Sequence, residues 1–395
     1  MIEVNTQSSI RIDNIYFDPY LIKDEKHDAK IIFITHSHYD HFDIKSINNI
    51  RNDDTYIVVP DDKDILDDTG AYIRNCLPLP RKLCVITDSN VNTLYAQRVL
   101  NSLKSQGYTT SKIVFPAGEH AKNLTTYLNI MEALADEGFT RSDGLIALGG
   151  GVVGDLVGFA AATYLRGIAY VQIPTTYMAA VDSAVGGKTS INLQNGKNLA
   201  GAIWQPSLVL CDCSTFDTLP AEKRLDGMAE AVKSAVVSDG RLLDYIKAGD
   251  YEYVIERCIS INKSFVEADE RDYGLRQILG FGHTVGHGLE KLSSYTISHG
   301  QAVAAGMVTE ARAAYRMGLT QTDLSGELSE ILTALGFDLH IKYTAEEIYH
   351  YALMDKKING DFITMVIPDT NGKSRLQKLS LSDLLKFLKI GLEED

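Results

Sequence analysis

The sequence predicts an α/β domain built on a Rossmann-like parallel sheet, followed by an all-α domain. Three observations predict it. Between about residues 55 and 218, short runs rich in β-branched residues alternate with helix-length segments. One of these runs ends in a glycine-rich turn that leads straight into an apolar helix start. After Leu219 the strand-like runs fade and segments of helical period dominate. The strand-like runs are KLCVITD, SKIVFPAG, DGLIALGGG, YVQIPTT and LVLCD. Strands separated by helices imply crossover connections, hence a parallel sheet covered by helices. The later segments AEKRLDGMAEAVKSAVV, YEYVIERCISINKSFVEAD, GHTVGHGLEKL and GQAVAAGMVTEARAAYRM carry apolar residues at helical spacing and read as a helical domain packed on the sheet. The expected divisions are 1–55, 56–218 and 219–395.

The bulk properties narrow the function. A chain of 395 residues holds two or three domains, and 45% apolar with 23% charged residues is ordinary for a globular protein. The formal charge of −14 excludes nucleic acid as the expected partner, because phosphate binding is driven by lysine and arginine. A small anionic substrate remains compatible, since a local cationic pocket can sit in an acidic protein. No apolar run reaches transmembrane length, and the polar start MIEVNTQSS is unlike a signal peptide. The five cysteines are odd in number and lack zinc-ribbon spacing, so they read as reduced residues of a cytoplasmic protein with no membrane partner.

The run Leu145–Leu148 enters Gly149-Gly150-Gly151-Val152-Val153-Gly154 and then Asp155, a G-x-G-x-x-G pattern in a strand–turn–helix setting. Glycines admit a pyrophosphate close to the backbone, and the helix start offers unbonded N–H groups. A second glycine loop, Val185-Gly186-Gly187-Lys188-Thr189, lacks the spacing of an ATP-binding loop. Three of the ten histidines, His283, His287 and His299, fall in one short region. His283 and His287 stand four apart, one helical turn, as paired metal ligands do, and spacing alone points to them as ligands. His299 follows one loop and one turn later, and Glu230 on another helical segment offers an anionic ligand. Two imidazoles and a carboxylate leave a metal position open for substrate.

Taken together, GGGVVGDLVGFAAATYLRG, QIPTTYMAAVDSAVGGKTSIN, GKNLAGAIWQP, GMAEAVK, DERDYGLR, GHTVGHGLE, HGQAVAAGM and MDKKINGD resemble the 3-dehydroquinate synthase family in order and spacing, from about Thr55 onward. The resemblance implies NAD bound around Asp88, Glu119, Lys122, Gly150, Gly151, Val152, Gly154, Asp155, Thr175, Thr176, Thr215 and Thr218, with Lys188 and Lys197 near both cofactor and substrate. It implies a catalytic Zn²⁺, replaceable by Co²⁺, on Glu230, His283 and His299, which moves His287 from the ligand set to the substrate site. Asp182, Lys188, Lys197, Asn198, Lys233, Arg276 and Lys356 match the remaining substrate positions. Arg166 matches an arginine that the family contributes across a dimer interface, which implies a homodimer. The implied reaction, in the shikimate pathway, converts 3-deoxy-arabino-heptulosonate 7-phosphate to 3-dehydroquinate and phosphate. It runs through transient oxidation by NAD, β-elimination, reduction and an intramolecular aldol closure.

Three places depart from the family pattern. Gly280 stands where an asparagine precedes the metal histidine, and Asn262 where a substrate lysine belongs, with Lys263 one position late. On a helix one position turns a side chain by about 100°. Leu219-Pro220-Ala221-Glu222-Lys223 replaces a Leu-Pro-x-Arg-Glu run. Near the start, Thr35-His36-Ser37-His38-Tyr39-Asp40-His41 resembles the H-x-H-x-D-H signature of the metallo-β-lactamase fold, but the next histidine, His120, lies far downstream. Residues 1–55 therefore read as a non-catalytic fragment of that fold, with His36, His38 and His41 as an open cluster. Alternative readings are another sugar phosphate cyclase, a polyol dehydrogenase of the glycerol dehydrogenase type, and a non-catalytic NAD-binding paralogue.

Overall fold

In a computed structural model of the chain, the described residues are 2–4, 10–12, 15–17, 22–33, 44–58, 65–77, 82–353 and 358–393. The chain separates into two compact units, Met1–Leu219 and Pro220–Asp395. The strands in chain order are β1 (Ile2–Val4), β2 (Ile10–Ile12), β3 (Ile15–Phe17), β4 (Ala29–Phe33), β5 (Arg51–Val58), β6 (Lys82–Asp88), β7 (Thr109–Phe115), β8 (Gly144–Gly149), β9 (Ala169–Pro174), β10 (Lys188–Leu193), β11 (Gly196–Ile203) and β12 (Leu208–Val209) in the first unit. The second unit holds β13 (Ile358–Asn359), β14 (Phe362–Thr370) and β15 (Lys373–Ser380).

The five strand-like runs read from the sequence form one parallel sheet in the order β12-β9-β8-β6-β7. Both faces are covered, which is why the inner strands β6, β8 and β9 are buried along nearly their whole length rather than alternately, while the edge strand β7 is partly exposed. Leu83, Val85, Ile146, Leu148, Val171 and Ile173 point into one core, and Cys84, Ile86, Leu145 and Ala147 into the other. The second core is closed by Val153, Leu156, Val157 and Ala160 of the helix Gly151–Thr163, and by Ile130 and Leu134 of the helix Leu124–Asp136. The antiparallel hairpin β10–β11 lies against the same helix.

The N-terminal strands form a separate five-stranded sheet, ordered β1 to β5, antiparallel up to β3 and parallel from there to β5. The sequence reading drew a boundary at 55/56, whereas the first compact unit runs from Met1 to Leu219. The reason is burial. Ala29, Ile47 and Ile50 sit in the same core as Ile65, Leu66, Leu83 and Val85. His36, His38 and His41 lie outside the described residues.

The second unit is mainly helical, with helices Ala221–Ser238, Tyr251–Ala268, His283–Leu292 and His299–Arg316 on the segments read as helical. It is not all-α. β13, β14 and β15 form an antiparallel sheet, and β14 and β15 are joined at Asn371-Gly372, with Gly372 at φ +86°. Asn-Gly between two β-rich runs is a strong hairpin signal, and the sequence reading passed over it. Ile363, Met365 and Ile367 of β14 share a core with Val285, Leu289 and Ala302 of the helices. Among the described residues, no helix is long and apolar enough to cross a membrane.

The helices His283–Leu292 and His299–Arg316 cross at glycines. A Cβ on Gly306 would stand 2.1 Å from the Gly282 carbonyl oxygen, and one on Gly286 would stand 3.2 Å from the Val303 nitrogen. Backbone cannot yield as a flexible side chain can, so overpacking here is costly. Gly306→Ala is expected to destabilise the protein by about 1–3 kcal/mol, read as a lower midpoint in urea unfolding. Gly326→Ala, where a Cβ meets nothing within 4 Å, is the matched control and should not destabilise.

Candidate functional site

In the first unit the site is built around the glycine turn. β8 ends at Gly149, Gly150 is extended (φ −76°, ψ −169°), and the helix begins at Gly151 with no side chain capping it. Neighbouring side chains crowd the place of a Cβ at Gly150 and Gly154. A Cβ on Gly150 would stand 2.7 Å from Thr176 Cγ2, and one on Gly154 would stand 2.3 Å from Gln172 Nε2 on β9. The helix therefore lies tight on the sheet, and its first turn offers backbone N–H groups to an anion. The Thr175 amide donates to the Gly149 carbonyl at 3.0 Å, while the buried Thr175 Oγ1 makes no hydrogen bond. Ser183 Oγ, 3.2 Å from the place of a Gly151 Cβ, is likewise buried without a partner. Two unspent hydroxyls at a glycine turn fit a polar ligand such as a dinucleotide pyrophosphate.

Beside the turn runs a polar network. Lys122, only 4% exposed, forms an ion pair with Asp155 and donates to Asn198 Oδ1 at 2.6 Å. Ser190 Oγ lies between Asp155 Oδ2 at 3.2 Å and Asn198 Oδ1 at 3.0 Å, with its one proton shared between the two acceptors. Asn192 Nδ2 donates to Glu119 Oε1 at 2.7 Å, and Asn192 Oδ1 accepts the Asn198 amide at 2.9 Å. Burial pushes the Asp155 carboxyl above its usual range, against the pull of Lys122 and the Ser190 bond. Glu119 and Lys122 are thus joined to Asp155 and Asn198, far downstream in sequence. Ser190 and Asn192, which sequence reasoning missed, are the links, and their signal was the alternation of polar residues along β10.

The other first-unit candidates are spread around this core. Asp88 ends β6, and its Oδ1 accepts from the Asn90 and Val91 amides at 2.8 and 3.0 Å. Thr215 Oγ1 donates to the Asp212 carbonyl at 2.7 Å, and the Tyr95 hydroxyl joins the Thr215 carbonyl at 3.1 Å to Thr218 Oγ1. Val152 is half-buried on the first helical turn. Asp182 is half-buried in the turn Ala179–Ser183, Lys188 opens β10 at the surface, and Lys197 lies on β11. Arg166 is exposed, and Leu165 and Arg166 both take left-handed backbone angles (φ 51° and 70°).

In the second unit three helices converge on one carboxylate. Glu230, 0% exposed, projects from the helix Ala221–Ser238, and its Oε2 pairs with the buried Lys233 one turn on. Its Oε1 makes no hydrogen bond, yet His299 Nε2 lies at 3.2 Å and His283 Nε2 at 3.5 Å. The opposite ring nitrogens are already engaged. His283 Nδ1 lies 3.0 Å from the Phe281 carbonyl oxygen, and His299 Nδ1 lies 3.0 Å from Glu290 Oε2. Two imidazoles with occupied Nδ1 atoms turn their Nε2 atoms toward an unbonded, buried carboxylate oxygen. That donor set fits a divalent ion with an open position. Glu230, His283 and His299 each bring one such atom within 4.8 Å of the others.

His287 falls outside that group, which departs from the spacing argument. Its ring centroid lies 5.4 Å from that of His283 and 6.3 Å from that of His299. A four-residue spacing places two side chains on one face but cannot tell which faces the third donor. Burial pushes the Glu230 carboxyl upward, but Lys233 and the His299 ring outweigh it and hold it below its usual range. Burial lowers the His299 imidazole, but Glu230 and Glu290 outweigh that and raise it to about 10.

Two buried carboxylates that sequence reasoning missed support the cluster. Glu290 backs His299, and Glu310 accepts the Gly282 and Val285 amides at 2.8 and 3.3 Å, anchoring the start of the helix that carries His283. Arg276 is buried in the turn Leu275–Gly280 and donates to the Glu270 carbonyl at 2.7 Å. Gly280 ends that turn, and both Asn262 and Lys263 are buried on the helix Tyr251–Ala268, with Lys263 Nζ 3.8 Å from Glu267. Lys356 lies outside the described residues.

Comparison with known proteins places these features. Residues 112–226 match the model of the 3-dehydroquinate synthase N-terminal family, and residues 227–358 that of the 3-dehydroquinate synthase C-terminal family. A 3-dehydroquinate synthase of Clostridium acetobutylicum is 40% identical over 339 residues, covering 83% of this chain and 95% of that one. Among solved structures, a 2-deoxy-scyllo-inosose synthase complexed with carbaglucose-6-phosphate, NAD⁺ and Co²⁺ is similar at a TM-score of 0.75 and 27% identity, covering 84% of this chain and 95% of that one. The 2-epi-5-epi-valiolone synthase ValA of Streptomyces hygroscopicus, with NAD⁺ and Zn²⁺ bound, is similar at a TM-score of 0.73 and 25% identity, covering 80% and 92%. Neither family match reaches the segment before residue 55, and nothing in the comparisons supports a metallo-β-lactamase origin for it. With two family models covering most of its length and a 40% identical relative matched over 83% of it, this chain belongs to the 3-dehydroquinate synthase family.

Proposed function

We propose that this chain is a 3-dehydroquinate synthase, a carbon–oxygen lyase that converts 3-deoxy-arabino-heptulosonate 7-phosphate to 3-dehydroquinate and phosphate. The observation that carries the proposal is the convergence of Glu230, His283 and His299 in a chain 40% identical to a curated synthase. The glycine turn, with the Lys122–Asp155–Asn198 network beside it, would hold NAD, which would supply a hydride acceptor. Glu230, His283 and His299 would hold zinc or cobalt, which would supply a Lewis acid for a substrate hydroxyl.

The chain's own residues do the binding and orienting. Recognition of the substrate carboxylate and phosphate is assigned to Lys188, Lys197, Lys233 and Arg276, with Asp182, Asn198, His287 and Lys356 completing the polar contacts. A substrate with both a carboxylate and a phosphate calls for several cations, and arginine suits a carboxylate through its paired donors. A neutral polyol needs no such set, which disfavours a polyol dehydrogenase. Arg166 on its strained, exposed turn is assigned to a second copy of the chain in a homodimer.

A second reading, another sugar phosphate cyclase, is favoured by Gly280 and Asn262 at positions where the family pattern has asparagine and lysine. Against it stand Arg276 and His287, together with identities of only 25–27% to the two other cyclases against 40% to the synthase.

Metal-loaded protein is expected to release one phosphate per heptulosonate phosphate consumed, with catalytic NAD and no accumulation of NADH. Release only from a hexose phosphate or a different heptulose phosphate would transfer the assignment to the second reading. Steady NADH formation from a polyol would overturn both. Glu230→Gln is expected to drop zinc content to background while the helical circular-dichroism signal persists; full zinc retention would refute the ligand assignment. Because His299 is raised from 6.5 to about 10, its contribution to the stability of metal-free protein is complete below pH 6.5 and lost as pH rises through 10. Zinc must displace the Nε2 proton, so its apparent affinity should climb about tenfold per pH unit below that value. Calorimetry in buffers of different ionisation heat should register roughly one proton released from this site per zinc bound near neutral pH.

A further inference from the structure

The two imidazoles of the metal-fitting cluster are held from behind by different acceptors. His283 leans on a backbone carbonyl, whereas His299 leans on a carboxylate, Glu290 Oε2, at 3.0 Å. Glu290 lies seven residues after His283 and three after His287, on the same helical face, and is only 6% exposed. It is outside the group whose donor atoms converge. Its backbone is committed to the same neighbourhood. The Glu290 carbonyl accepts the Tyr295 amide at 2.7 Å and Ser293 Oγ at 3.0 Å, and Ser293 Oγ in turn accepts the Ile297 amide at 3.2 Å. Side chain and main chain of one residue thus pin both the His299 ring and the turn that delivers it.

We infer that Glu290 is a positioning residue for the metal centre, holding the proton of His299 on Nδ1 so that Nε2 presents its lone pair to the ion. The inference rests on the reading of Glu230, His283 and His299 as a metal site. With an ion on Nε2 the ring's one N–H lies at Nδ1, and Glu290 Oε2 stands 3.0 Å away as its acceptor. The ring is then left with a single tautomer and a single orientation, and the negative charge behind it makes Nε2 a stronger donor to a cation. His283, backed by a neutral carbonyl, receives the orientation without the charge. Of the two imidazoles, His299 is the one tuned for affinity.

The test is zinc affinity, measured on the full chain by competition with a chromogenic chelator. Glu290→Leu keeps bulk without an acceptor, and Glu290→Gln keeps an acceptor without charge. The expected result is about 10–100-fold weaker zinc binding for the Leu variant, with the Gln variant in between. Zinc affinity equal to wild type in a folded Leu variant would overturn the inference. If the Leu variant does not fold, the Gln variant decides: a loss of about threefold or more supports the role, and wild-type affinity overturns it. Failure of the wild-type chain itself to bind zinc would sink the metal reading and this inference with it, an outcome distinct from variants that bind as the wild type does.

Discussion

The second unit is organised by the burial of one charge. A carboxylate withdrawn from water is costly unless other charges or hydrogen bonds replace its hydration. Glu230 has no exposed surface, and the replacement is divided between its two oxygens: Oε2 takes Lys233, while Oε1 is left to two imidazole nitrogens and no hydrogen bond. Lys233 and the His299 ring together hold the carboxyl below its usual range. The arrangement also dictates packing, because three helices must bring their side chains to within a few ångströms of one oxygen. The glycines at the crossing of His283–Leu292 and His299–Arg316 let those two backbones approach closely enough. Gly282 starts the first of them at φ +77°, and the Glu310 carboxylate fastens that start.

The first unit obeys the same rule with different groups. Lys122 and Asp155 are buried charges, and each is satisfied by the other and by uncharged partners from the hairpin β10–β11. The hairpin is therefore tied to Lys122 and Asp155 through its polar side chains, while its own strands lie outside the parallel sheet. Glycine serves here as it does among the helices. It removes the Cβ where strand, turn and helix come too close for one, and it leaves amides and two hydroxyls uncommitted.

The departures from the family pattern fall around these devices rather than within them. Gly280 and Asn262 sit in the turn and helix that also carry Arg276 and Lys263, whereas the ligand trio, its backing carboxylates and the glycine turn are intact. The N-terminal sheet follows a different logic, contributing Ala29, Ile47 and Ile50 to a core shared with the parallel sheet.

The sequence by itself determined the period of each element: strands continuous in apolar residues, helices with an apolar stripe, and a glycine turn between one strand and one helix. These are local properties, written in residues close together along the chain, and so were the parallel sheet and the four main helices. Motif order carried the family, because eight blocks in sequence leave little freedom. Tertiary structure alone decided which donors share a point in space. The four-residue spacing of His283 and His287 is a property of one helix, whereas the partnership of His299 with Glu230 and Glu290 depends on how three helices cross. The same holds for Lys122, Asp155 and Asn198, joined through Ser190 across 76 residues of chain. The fate of residues 1–55 was likewise beyond the sequence, since a histidine-rich signature is local but the choice of core to share is not.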